Sequence, residues 1–318
     1  MIPWNSYRWA ALARRAAALA AVLAVGLAAG CAAGTGRGAG PQAGAAAGSR
    51  GPAAVVASIQ NTGSDTLLNL ALAWAERYMV EHPDVRISVT GGGSGTGIAS
   101  LINGTTQIAN ASREMSAEEV EQARKNGINP VRFTVALDAI AVVANLENPV
   151  SGLTIPQLSD MYTGKVTRWS EVGGPSWPVV LLSRESNSGT YLYFLEQVVR
   201  RGNAKGKELF SPETLLMPSS QGISSEVQQN PNTIGYDGLG YVTAEQKTIA
   251  VARSANGPFV TPSVKTVLDK TYPISRPLFM YTAGEPTGAV KSYLDWVQGA
   301  GQKLVRDVGY VPLAEDGR

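Results

Sequence analysis

The sequence predicts an α/β protein with sheets covered on both faces. Strand-period and helix-period segments alternate from about residue 55 onward, and no internal repeat is present. The 318 residues are 44% hydrophobic and 16% charged, enough apolar material for one large or two medium domains.

The elements follow in order. Val55 to Ile59 is a short apolar strand, Thr66 to Val80 places Leu67, Leu70, Trp74 and Tyr78 at helical spacing, and Val85, Ile87 and Val89 alternate as a second strand. Ser116-Ala117-Glu118-Glu119 has the capping-box pattern, serine and glutamate side chains each accepting from the other's backbone amide. It opens a charged helix ending near Asn126-Gly127. Two strands are expected at Val131 to Val135 and Ala139 to Val143, then a helix from Thr154, a strand at Val179 to Leu182 and a helix from Thr190. Ile274 to Tyr281 reads as a late strand, and Val290, Tyr293, Leu294 and Val297 stripe a final helix.

Ahead of this body lies a segment of another kind. Arg8, Arg14 and Arg15 precede the apolar run Ala16 to Ala29, the pattern of a secretory signal peptide over residues 1–30. Leu27-Ala28-Ala29-Gly30-Cys31 resembles the lipobox of bacterial lipoproteins, with Ala28 where leucine or valine is usual, so Cys31 is the expected lipidation site. Residues 31–54 are then a Gly/Ala-rich tether, since such a composition cannot bury a core. Cys31 is the only cysteine, which rules out an intramolecular disulfide.

Composition removes several classes of function. A net charge of +2, with basic residues scattered, gives no nucleic-acid stripe. No run of 18 apolar residues follows position 31, so the expected location is outside the membrane, exported and held by lipid on a bacterial membrane, facing periplasm or exterior. One histidine, His82 in a helix-end turn, and one cysteine leave nothing for a typical transition-metal site, no cofactor and no serine-hydrolase base.

Three junctions between strand and helix share a chemistry. They are Asn61 to Leu67, Gly91 to Gly97, and Arg184 to Thr190. A helix start leaves backbone N–H groups without internal partners, glycine allows close approach, and Ser and Thr add hydroxyl donors, so three such loops can surround a tetrahedral anion. Each alone is equally an ordinary cap or turn. The second loop has neither the Lys-Ser/Thr ending of a P-loop nor G-x-G-x-x-G spacing, and Ser94 lacks G-x-S-x-G spacing.

Gly63-Ser64-Asp65-Thr66, Gly91 to Ile98, Ile108 to Arg113, Arg184 with Ser188-Gly189-Thr190, Ile234-Gly235-Tyr236, Trp169 to Gly174 and Tyr272-Pro273-Ile274 together resemble the phosphate-binding proteins of bacterial phosphate ABC transporters, over about Ile59 to Pro312. The resemblance implies a type II periplasmic-binding-protein fold, two α/β lobes joined by a two-strand hinge: residues 55–138 with 274–318, and 139–273. It implies a monomeric binder rather than an enzyme, serving the permease and ATPase subunits of a transporter. Carried over, the phosphate ligands are Thr66, the Leu67 amide, Ser94, Arg184, Ser188, Gly189 and Thr190. Better-known members place an aspartate where Arg113 stands. Asp138 beside Arg113 is the expected proton acceptor in its stead, with Asp65 and Glu185 as substitutes and a hinge ion pair of Asp138 with Arg113 or Arg184 as the competing role. Other oxyanions (sulfate, molybdate, tungstate), a phosphatase on the same fold and a surface adhesion protein are the alternatives.

Overall fold

The computed structural model describes residues 57–203 and 205–313; the expected signal segment, Cys31 and the tether lie outside the described residues. The chain opens with β1 (Ala57–Gly63), a 3-10 turn at Asp65–Leu67, and α1 (Leu68–Glu81). Leu70, Trp74 and Tyr78 bury one face of α1, as their spacing demands, against β1 and β2 (Val85–Thr90). Then come α2 (Ser94–Ile102), β3 (Ile108–Ala111) and α3 (Ala117–Lys125), the last started by the Ser116/Glu119 capping box. Where two strands were expected there is one: β4 (Val131–Ala144) runs unbroken through Asp138. The charged residue reads as an interruption in sequence, but a partner on the neighbouring strand lets it stay within the ladder.

The following half holds β5 (Gly152–Thr154), α4 (Ile155–Tyr162), β6 (Val180–Arg184), α5 (Gly189–Phe194), β7 (Leu215–Met217), α6 (Ser220–Gln229), β8 (Thr233–Gly238), β9 (Lys247–Ala252) and α7 (Val264–Leu268). The chain returns through β10 (Ser275–Thr282), α8 (Gly288–Gln298) and α9 (Lys303–Asp307). Strand order is β2-β1-β3-β10-β4-β8-β6-β7, with β9 joining β4 and β5.

Apolar residues collect on both faces of each half of this sheet. Trp74, Ile59, Leu278 and Tyr293 fill one face of the first half, and Ile98, Leu101 and Phe279 the other. In the second half Tyr162, Phe194, Tyr236 and Ile249 fill one face, and Ile223, Val227 and Leu182 the other. The expected double covering is therefore present. β4 belongs to both halves: Val135 and Ala136 pack in the first, Ala139 and Ile140 in the second. β10 likewise follows Ile274 of the second core and carries Leu278 into the first. The C-terminal Tyr310 and Val311 make the same passage, and Val311 exchanges backbone hydrogen bonds with Leu137. Three segments thus cross between the halves at the level of Asp138.

Candidate anion-binding site

The three glycine-rich loops meet at this crossing. The second loop is tied to the first by the Gly93 amide, which donates to the Gly63 carbonyl at 2.9 Å, and to the third by the Gly95 amide on the Asn187 carbonyl at 3.0 Å. Asn187 answers with its side-chain amide on the Gly92 carbonyl at 2.9 Å. At the centre, the hydroxyls of Thr66 and Thr190 lie 2.7 Å apart, both buried, although 124 residues separate them in sequence. Ser188 caps α5, its hydroxyl accepting from the Thr190 amide. The Ser94 hydroxyl accepts from the Ser112 amide at 3.0 Å and lies 3.2 Å from the Ser112 hydroxyl. Gly189 passes so close that an added Cβ would fall 2.5 Å from Ser94 Oγ and 2.6 Å from Ser112 Oγ, so a larger residue there would force both hydroxyls to move.

Two buried ion pairs flank the hydroxyls. On one side Arg184 contacts Asp65 at 3.2 Å and donates to the Ser220 hydroxyl and to the carbonyls of Pro218 and Met217. Asp65 is further held by the Ser220 amide at 2.7 Å. On the other side Arg276 lies against Asp138, with Nη2–Oδ2 at 3.2 Å and both side chains at most 1% exposed. Its Nη2 also donates to the Thr190 hydroxyl at 2.8 Å and reaches the Thr66 hydroxyl at 3.5 Å, while Nη1 donates to the Ser112 carbonyl at 2.8 Å.

Residues 48–300 match the family model described as a PBP superfamily domain. The phosphate-binding protein PstS of Pseudomonas aeruginosa is 34% identical over 279 residues, 82% of this chain and 84% of that protein. PstS of Bacillus subtilis is 32% identical over 269 residues, 84% of each chain. The chain belongs to the PstS family. A crystal structure of a putative phosphate ABC transporter substrate-binding protein from Clostridium perfringens, with bound phosphate, superposes with a TM-score of 0.72 at 32% identity, covering 81% of this chain and all of that one. The fold is accordingly the type II periplasmic-binding-protein fold.

In this PstS-family chain the structure brings Thr66, Ser94, Ser188, Gly189 and Thr190 into one buried cluster. Leu67 sends its side chain into the core, and its amide donates to the Ser64 carbonyl at 3.2 Å. Arg184 stands behind the first loop, its guanidinium engaged by Asp65, Ser220 and two carbonyls. Arg113 turns away to Glu119 in a two-point contact at 2.7 Å. Asp138 does not lie in an ion pair with Arg113 or Arg184, the competing role considered for it: its partner is Arg276, directly opposite it in the β4/β10 register. The two-point bond to Glu119 engages both terminal nitrogens of Arg113.

Sequence reasoning passed over Arg276. Its one local signal was a charge inside the otherwise apolar Ile274 to Tyr281 segment, which a buried strand tolerates only with a partner. Burial pushes the Asp138 carboxyl above its ordinary range, against the pull of Arg276 and the Leu239 amide. Burial also lifts Asp237, to about 7, although Arg184 opposes it. Beside the cluster, a cavity of about 620 Å³ is lined by Ser112, Arg113, Leu192, Tyr193 and Arg276 among others.

Proposed function

We propose that this chain captures inorganic phosphate between its two halves and delivers it to the permease and ATPase subunits of a membrane ABC transporter. The observation that carries this is the meeting of the Thr66 and Thr190 hydroxyls, one from each half, in a buried cluster of neutral donors beside an arginine. A tetrahedral oxyanion needs donors converging from opposite sides, and their burial makes each hydrogen bond count for more than it would in water. Thr66, Leu67, Ser94, Ser188, Gly189 and Thr190 supply these donors, and Arg184 keeps the first loop in place through Asp65. The two halves act as lobes, residues 55–138 with 274–318 against 139–273, that close on the anion.

The chain acts as a binder rather than an enzyme: the cluster offers hydroxyls, amides and guanidinium groups, and Asp65 and Asp138 beside it are tied into ion pairs with Arg184 and Arg276. It is exported, lipidated at Cys31, and works as a monomer at the end of its tether. Among the described residues no helix is long and apolar enough to cross a membrane. The test is calorimetric titration with phosphate, sulfate and molybdate. Stoichiometric phosphate binding with weak response to the other two is expected; clear binding of sulfate or molybdate without phosphate would defeat the assignment.

A further inference from the structure

We infer that Asn187 is a clasp at the mouth of the anion site, a positioning residue that holds the two halves shut over the anion and so sets how slowly the anion leaves. This rests on the capture reading above and concerns how the same site keeps its ligand.

Asn187 belongs to the third loop, in the second half of the molecule, and reaches the second loop, in the first half, at three points. Its backbone carbonyl accepts from the Gly95 amide at 3.0 Å. Its side-chain amide donates to the Gly92 carbonyl at 2.9 Å and to the Thr96 hydroxyl at 3.4 Å. Thr96 braces the same place from within its own loop, its hydroxyl donating to the Gly92 carbonyl at 2.7 Å.

The second loop is shaped to receive this residue. Gly93 has φ +96°, and a Cβ there would fall 2.9 Å from the Asn187 carbonyl oxygen and 3.2 Å from its side-chain amide carbon. At Gly95 a Cβ would fall 3.2 Å from the same carbonyl oxygen. Glycines whose sequence pattern suggests close approach to an anion thus turn their open sides to Asn187. Ser94, between them, points its hydroxyl the other way, to Ser112.

The contact lies where the site meets solvent. Asn187, Gly92 and Thr96 are exposed, whereas their chain neighbours Ser94, Ser188, Gly189 and Thr190 are buried. The halves cannot part at this edge without breaking the three hydrogen bonds. Water can replace a partner lost at an exposed position, so truncating Asn187 leaves no buried group unpaired and spares the fold. Asp65 differs: the Ser220 amide and Arg184 hold it across the same boundary, but it is buried, and its removal would strip partners from both. Bonds made only when the halves meet act on escape of the anion, not on its first encounter.

The experiment follows release of radiolabelled inorganic phosphate from the full chain after a chase with excess unlabelled phosphate. Calorimetric affinity and the thermal transition of the phosphate-free chain are measured beside it, for wild type, Asn187→Ala and Asn187→Asp. Asn187→Ala is expected to release phosphate about 5- to 10-fold faster, with association within about 2-fold of wild type and the phosphate-free transition unmoved. Asn187→Asp keeps the size but has no N–H to give, and sets a carboxylate against the Gly92 carbonyl; release at least as fast as from Asn187→Ala is expected. Wild-type release from either variant overturns the inference. So does an affinity loss carried wholly by slower association, or a lowered phosphate-free transition in Asn187→Ala, which would make the residue part of the fold instead. A wild-type chain that takes no phosphate defeats the capture reading and the clasp with it, whereas normal wild-type binding with unchanged release from the variants defeats the clasp alone.

Discussion

Asp237 offers a quantitative trial of the buried electrostatics. It is 1% exposed, its Oδ1 accepts from the Gly238 amide at 2.9 Å, and its Oδ2 has no hydrogen-bond partner. It shares Arg184 with Asp65, so burial dominates and lifts the carboxyl from 3.8 to about 7. A raised folded-state value means that the native chain holds this proton more tightly than the unfolded chain does. Below the unfolded value both states are protonated and Asp237 costs nothing. From there to about pH 7 only the unfolded chain ionises, and stability declines by ~1.4 kcal/mol per pH unit, reaching a loss of ~4 kcal/mol. Asp237→Asn keeps the shape and removes the titration. With half or more of that loss recovered, the variant is expected to melt about 5–10 °C above wild type near pH 8, and the gap to vanish near pH 4. Thermal unfolding followed by circular dichroism between these limits is the assay. An identical pH slope in both chains, or a lower melting temperature for the variant near pH 8, would show that Asp237 is ionised and paired with Arg184 in the fold, and the argument from burial would be refuted.

Other outcomes follow from the packing. Gly189→Ala drives a methyl group into Ser94 and Ser112, and is expected to weaken phosphate binding at least about 100-fold while costing about 1–3 kcal/mol of stability, measured by calorimetry and urea unfolding. Trp74→Ala empties a fully buried site and breaks the indole hydrogen bond to the Gly301 carbonyl at 2.8 Å; a loss of about 3–5 kcal/mol in urea unfolding is expected. Cys31→Ala is expected to move the protein from the membrane fraction to the soluble exported fraction and to abolish labelling by a fatty acid. Persistent labelling would place the lipid elsewhere.

Local pattern made much of this molecule legible. The apolar stripe of α1, the capping box of α3 and the three glycine-rich loops each occupy a few adjacent residues whose chemistry acts on its own neighbours. What stayed hidden depends on register. Asp138 comes into view only through the family resemblance, which sets it beside Arg113, whereas its partner lies 138 residues away. The antiparallel alignment of β4 with β10 decides the matter, and nothing in either strand alone encodes it. The same ignorance split β4 in two: a buried aspartate ends a strand unless an arginine stands opposite. Short strands such as β5 and β7, three residues each, carry too few positions to show a period.

The C-terminal crossing has a consequence for how the molecule moves. Two strands alone can twist about each other as well as bend, whereas Leu137 is tied on its other edge to Val311, and the Tyr310 hydroxyl is fastened to the Thr66 carbonyl. A ribbon three segments wide flexes across its thin dimension and resists torsion. Under the proposed closure the halves would swing like covers on a bound spine, and whatever surface they present together when shut would be presented in a single alignment. A partner that must recognise the loaded protein then has one shape to match rather than a family of them.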